Sequence, residues 1–184
     1  MKPRNTVLTT MILIFSLSIL GCFLCFYFYQ QAQIAWFFTI GVVFFSVAIH
    51  FLIMFISAPV VFMLFRNKYN CNSFWFKQKP FEKTLYRILK IKKWKNKLPA
   101  YDRNEYSLQL NNPETIAQNM CHAEVVHEVI ALASYLPILF GLVISNYGLL
   151  TILSMFFSII HLVFVFIQRY NRPRFIRLSK KIQL

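Results

Sequence analysis

The sequence predicts an all-α integral membrane protein: four transmembrane helices in two hairpins, a basic cytoplasmic insert between them, and both termini inside. Three observations predict it. The 184 residues are 58% hydrophobic and 18% aromatic, with 21 phenylalanines, more apolar surface than a soluble domain of this size can hide. The apolar residues gather in long runs instead of periodic stripes. The charge, +14 overall, is confined to a few segments.

The runs Val7–Tyr29 and Tyr147–Ile167 contain no Lys, Arg, Asp or Glu. At roughly 1.5 Å of rise per residue, each is long enough for a hydrocarbon core of about 30 Å. Ile34–Phe65 is too long for one span, and Pro59 in "ISAPVV" is expected to end or kink it, leaving an interfacial tail. The expected spans are therefore about 7–29, 34–57, 123–145 and 147–167, within a single membrane domain covering 1–184. An insert (66–122) and a basic tail (168–184) complete it.

Charge placement orients these spans. Lys2 and Arg4 precede the first, twelve Lys/Arg fall between Arg66 and Arg103, and six lie from Arg169 to Lys181, which accounts for all twenty. The connections "QQAQ" (30–33) and "SNYG" (145–148) carry none. The positive-inside rule then places both termini and the insert in the cytoplasm and the two short turns outside. So distributed, the excess charge speaks for topology and against a nucleic-acid partner. The first run is too long for the core of a cleaved signal peptide, and no A-x-A site follows it. Cys22, Cys25, Cys71 and Cys121 form no disulfide framework, since two lie in a span and two face a reducing compartment.

In the insert, "FEKTLYRILKIKKWKNKL" repeats Phe81, Leu85, Ile88 and Leu89 at helical spacing, with Lys and Arg on the other faces. This predicts a helix over 81–97 lying among lipid headgroups; an unstructured basic collar is the alternative. "LPAYDRNEYSLQLNNP" reads as loop, and "NNPET" as a helix start with Pro113 in the first turn.

The stretch "CHAEVVHEVIALASYLPILF" (121–140) begins polar and ends apolar. Glu124, His127 and Glu128 share one helical face at the threshold of a span, where ionisable groups are costly. A tight turn at 146–147 would bring Glu124 level with Arg169 and His127 level with Phe166. "QRYNRPR" (168–174) would then sit beside "AEVVH". Three readings stand. His127 is a general base oriented by Glu124, with Arg169, Arg172 and Arg174 holding an anionic donor. Alternatively, "HAEVVHE" binds a metal, although His122 and His127 face different ways and no Cys/His set completes a ligand sphere. Or Glu124 and the arginines form a clasp that locks the hairpin. Cys121 as an acyl-carrying thiol lacks a base on its face. His50 and His161 read as polar residues satisfied between helices.

"KKWKNKLP" (92–99), "AEVVH" (123–127) and "QRYNRPR" (168–174), in this order and spacing, resemble the glycosyl-4,4′-diaponeurosporenoate acyltransferase family over roughly residues 70–178. "RYNRPR" is the most specific part. The resemblance implies esterification of a sugar hydroxyl on a carotenoid glycoside by a fatty acyl group, the last step of staphyloxanthin synthesis. It implies Glu124 and His127 as catalytic residues and Trp94, Arg169, Asn171, Arg172 and Arg174 as substrate-binding residues. No metal and no cofactor are implied beyond an acyl donor such as acyl-coenzyme A. The partners are a lipid acceptor and the membrane, and the site lies at the cytoplasmic face of the cell membrane. The first 65 residues form a fuller membrane hairpin than the pigment enzyme is expected to have, which leaves the acceptor open. Two other functions fit the composition: a non-enzymatic protein binding anionic lipid or scaffolding a partner, and a small-group transferase acting on a prenyl lipid.

Overall fold

The computed structural model describes residues 3–95, 103–144 and 146–182. Among these, every regular element is helical. The α-helices are α1 (Pro3–Ala32), α2 (Ala35–Phe65), α3 (Pro80–Ile88), α4 (Ile91–Trp94), α5 (Pro113–Ala133), α6 (Gly141–Ile144) and α7 (Tyr147–Ile182). Short 3-10 turns occupy Arg103–Tyr106 and Leu136–Phe140. Thr6–Ala32, Ala35–Phe65, Pro113–Val143 and Tyr147–Ile182 are each long and apolar enough to cross a membrane, so the all-α membrane class holds. The chain divides into two compact units: Met1–Pro59 with Val129–His161, and Val60–Glu128 with Leu162–Leu184.

In the first unit, α1 and the first part of α2 pack antiparallel through aromatic pairs. Phe15 meets Phe55, Phe26 meets Phe38 and Tyr29 meets Phe38, with ring centroids 5.6, 5.8 and 5.1 Å apart. Gly21 permits this approach, because a Cβ there would lie 2.8 Å from the Phe44 ring. Gln33 makes the turn: its φ of 54° is left-handed, and its N–H donates to the Tyr29 carbonyl at 2.8 Å, closing α1. In the same unit the His50 ring stacks on Phe157 (4.0 Å, 9°), and its Nε2 lies 3.3 Å from Nε2 of His161.

Several expected boundaries move. Pro59 does not end α2, which runs on to Phe65. There Arg66 and Asn67 take left-handed φ values of 47° and 55° and stop it. The helix that carries the third apolar run starts at Pro113, as "NNPET" indicates, ten residues ahead of that run. Asn112 caps it, its Oδ1 accepting the Thr115 N–H at 2.7 Å, and Pro113 needs no partner at the first helical position. The α-helix then stops at Ala133 instead of continuing to 145. Pro137 supplies no N–H for the Ala133 carbonyl, and the chain tightens into the 3-10 turn before α6. The basic stretch from 168 is no separate tail: α7 carries it as helix through Pro173 to Ile182. The 81–97 helix is also interrupted. α3 ends at Ile88, Lys90 adopts φ 50° and ψ 39°, and α4 starts afresh at Ile91. Residues 96 and 97 lie outside the described part of the chain, as does Ser145 of the "SNYG" turn.

The second unit is built on α5. Segment 67–76 runs along it through paired polar contacts. The Tyr69 N–H donates to Gln118 Oε1 at 2.8 Å, and Gln118 Nε2 returns a bond to the Tyr69 carbonyl at 2.9 Å. Asn67 Nδ2 donates to Asn119 Oδ1 at 3.0 Å, and the Tyr69 hydroxyl lies 2.9 Å from His122 Nδ1. Tyr69, Phe76 and Cys121 form a small core, with Cys71 packed on it and its Sγ 2.8 Å from that of Cys121.

Candidate functional site

Five charged side chains meet in the second unit. α5 presents Glu124 and Glu128 one turn apart, α7 presents Arg169 and Arg172, and α3 turns Glu82 inward. Arg169 uses three nitrogens on three glutamates: Nε donates to Glu124 Oε1 (2.6 Å), Nη1 to Glu82 Oε1 (2.9 Å) and Nη2 to Glu128 Oε1 (3.0 Å). Arg172, only 1% exposed, donates from Nη1 to Glu124 Oε2 and from Nη2 to the Phe76 carbonyl. The two remaining carboxylate oxygens are also taken. The Tyr86 hydroxyl donates to Glu82 Oε2 at 2.8 Å, and Trp75 Nε1 donates to Glu128 Oε2 at 3.0 Å.

All six carboxylate oxygens thus accept a hydrogen bond. That completeness is what makes the burial tolerable, since Glu82 and Glu124 are fully buried and an unpaired charge there would cost several kcal/mol. The planar guanidinium of Arg169, with donors along three edges, suits a three-way junction that an ammonium cannot bridge with the same geometry. Three carboxylates against two guanidiniums leave one formal negative charge, and the phenol and indole donors help to hold it. Burial and the bond to Glu82 push the Tyr86 hydroxyl well above the ordinary phenol range, so it remains a donor.

His127 lies on α5 between Glu124 and Glu128. It is half-buried, and its ring stacks on Phe164 of α7 with centroids 4.8 Å apart and planes 12° from parallel. The expected neighbour was Phe166, which instead packs edge-on to Tyr86. The other sequence-derived positions lie on α4 and α7. Trp94 is half-buried, and its Nε1 donates to the Leu89 carbonyl at 2.7 Å across the junction of α3 and α4. Asn171 accepts a hydrogen bond from Lys95 Nζ, and that ammonium also sits 4.8 Å from the Tyr170 ring centroid. Arg174 is exposed. Arg169 and Arg172, expected to hold a donor, are engaged with protein carboxylates. Among the described residues no group of three or more His, Cys, Asp or Glu has the spacing of a metal site.

Sequence reasoning did not find Glu82, Tyr86 or Trp75. The signal available was Glu82 and Tyr86 at i,i+4. The apolar repeat drew attention to the other side of α3, where Phe81 and Ile88 are 62% and 68% exposed.

Membrane-crossing helices and a saturated ionic knot beside a histidine define a membrane-embedded helical protein with a preorganised polar centre. Residues 72–181 match the family model described as glycosyl-4,4′-diaponeurosporenoate acyltransferase, a stretch that includes all five knot residues and His127. The chain belongs to this family and is an acyltransferase. No curated protein and no solved structure matches it.

Proposed function

We propose that this acyltransferase esterifies a sugar hydroxyl of a glycosylated, carotenoid-like membrane lipid with a fatty acyl group, working at the cytoplasmic face of the cell membrane. The observation that carries the reading is His127, held against Phe164 and flanked by two glutamates of the knot inside the family-matched segment. In the proposed step the neutral imidazole removes the proton from the sugar hydroxyl as its oxygen attacks the carbonyl of an acyl thioester such as acyl-coenzyme A. The C–S bond breaks as the tetrahedral intermediate collapses, and the imidazolium returns the proton to the departing thiolate. Glu124 acts as a positioning residue: its two oxygens clamp α5 to successive turns of α7 and so fix the backbone that carries His127. The apolar helices accommodate the acyl chain and the isoprenoid body, which already reside in the bilayer.

The test uses His127→Ala and His127→Gln in membranes supplied with labelled acyl-coenzyme A and a glycosylated carotenoid acceptor. Mass spectrometry reads the product as a gain of one fatty acyl group. Both variants should lose turnover while protein level and thermal stability stay near wild type, because glutamine keeps a hydrogen bond but cannot carry the proton in this pH range. An active His127→Gln enzyme would end the general-base assignment.

A further inference from the structure

A second polar feature of the same unit lies beyond the reaction above. α3 and α4 border an open groove of about 430 Å³ lined by the exposed side chains of Lys83, Arg87, Lys90, Lys92 and Lys93, with Tyr86 and Tyr170 also lining it. None of its lining residues is acidic. Glu82, the acid carried by α3, takes its two hydrogen bonds from Arg169 and Tyr86 in the knot. Tyr86 is therefore shared: its hydroxyl serves the knot, while its ring packs edge-on to Tyr170 at 5.2 Å beside the basic groove.

The backbone is bent to assemble these cations. In a continuous α-helix Lys92 would fall opposite Lys83, nine residues or about two and a half turns further on. Lys90 instead takes the left-handed conformation, which lysine seldom adopts, and the restarted α4 brings Lys92 and Lys93 to the groove that Lys83 and Arg87 line. Trp94 stitches the bend with its bond to the Leu89 carbonyl. Mutual repulsion among five cations opposes such an arrangement in the absence of a counter-charge. A multiply charged anion relieves it, and phosphate oxygens suit lysine and arginine donors. The volume lies within the range of small-molecule sites.

The geometry points to a phosphate-binding site formed by Lys83, Arg87, Lys90, Lys92 and Lys93, taking a phosphomonoester or diphosphate group. Two molecules carry that chemistry here. One is the nucleotide end of a coenzyme A donor, which rests on the thioester reading above; the other is the headgroup of an anionic phospholipid. Binding measured without turnover keeps this site separate from the fate of His127.

The full chain is purified in uncharged detergent and titrated with coenzyme A; a parallel arm places it in nanodiscs of phosphatidylcholine with or without phosphatidylglycerol. Lys83→Gln/Arg87→Gln should weaken binding by about ten-fold or more, the loss expected for hydrogen bonds to charged groups. Lys180→Gln/Lys181→Gln removes the same charge from the exposed end of α7 and should change it by less than about three-fold, as for unpaired surface charges. Lys90→Gly keeps a left-handed turn while deleting one cation, so it should weaken binding with thermal stability retained. A selective response to coenzyme A assigns the site to the donor, and a selective response to phosphatidylglycerol alone assigns it to the lipid. Equal losses in the two double variants, no loss in either, or unaltered binding in Lys90→Gly would overturn the proposal.

Discussion

Arg169 donates to Glu82, Glu124 and Glu128 from three different nitrogens, so no other residue joins as many acidic partners in the knot. Lysine at this position keeps the charge but loses the three-edged fork. Arg169→Lys should therefore strand at least one buried carboxylate and lower stability by about 3–5 kcal/mol, the usual range for breaking a buried ion pair. Thermal unfolding in detergent reads the loss, and a melting temperature within error of wild type would mean that the knot does not hold the fold. Glu124→Gln should behave similarly, because one oxygen facing a guanidinium becomes an amide donor. His127→Gln should leave the melt unchanged, which separates chemistry from architecture. The Glu124–Arg169 bond was legible in the sequence, since a turn near 146 brings the two flanking runs roughly level; the same reflection gave Phe166 beside His127, where Phe164 is found. Glu82 was not, because its partner lies 87 positions away and no local periodicity reports such a pair.

The four long helices were legible from hydropathy alone, whereas helix ends depended on single residues. α2 and α7 continue through Pro59 and Pro173, while α5 stops four residues before Pro137. A missing N–H is common to all three prolines, so the residue type by itself does not fix the outcome. Cap chemistry was the better guide, as Asn112 and Pro113 show at the start of α5. Close helix contact has a comparable marker in glycine. A Cβ on Gly21 would meet the Phe44 ring at 2.8 Å, while one on Gly148 has no heavy atom within 4 Å. Gly21→Ala should thus destabilise by about 1–3 kcal/mol through overpacking, and Gly148→Ala should not destabilise at all. Comparison of the two in thermal unfolding isolates the clash from the helix-propensity gain that alanine gives both. Equal melts would show that Phe44 yields at no cost.

At the scale of the whole molecule, the family match begins at residue 72, so α1 and all of α2 lie outside it. Composition explains why the part outside was legible as membrane but not as function: Val7–Phe65 carries no Lys, Arg, Asp or Glu, and apolar runs record solvent, not chemistry. The charges that record chemistry also orient the chain. Arg169 follows Tyr147 by 22 residues, about 33 Å of helix, which is one hydrocarbon thickness. The knot is then expected at a membrane boundary, on the side where the Lys/Arg-rich insert lies. The positive-inside rule predicts that this side is cytoplasmic, so reporter fusions at Asn72 and after Ile182 should register inside and fusions at Gln31 and Asn146 outside. The outcome at Asn146 decides most. A cytoplasmic signal there would put the start of α7 on the same side as the insert, and α7 could not carry Arg169 across to Glu82 while spanning the bilayer. The ion pairs between α3 and α7 would then be incompatible with a membrane-crossing α7, and the proposal of an active site at the cytoplasmic face would fall with them.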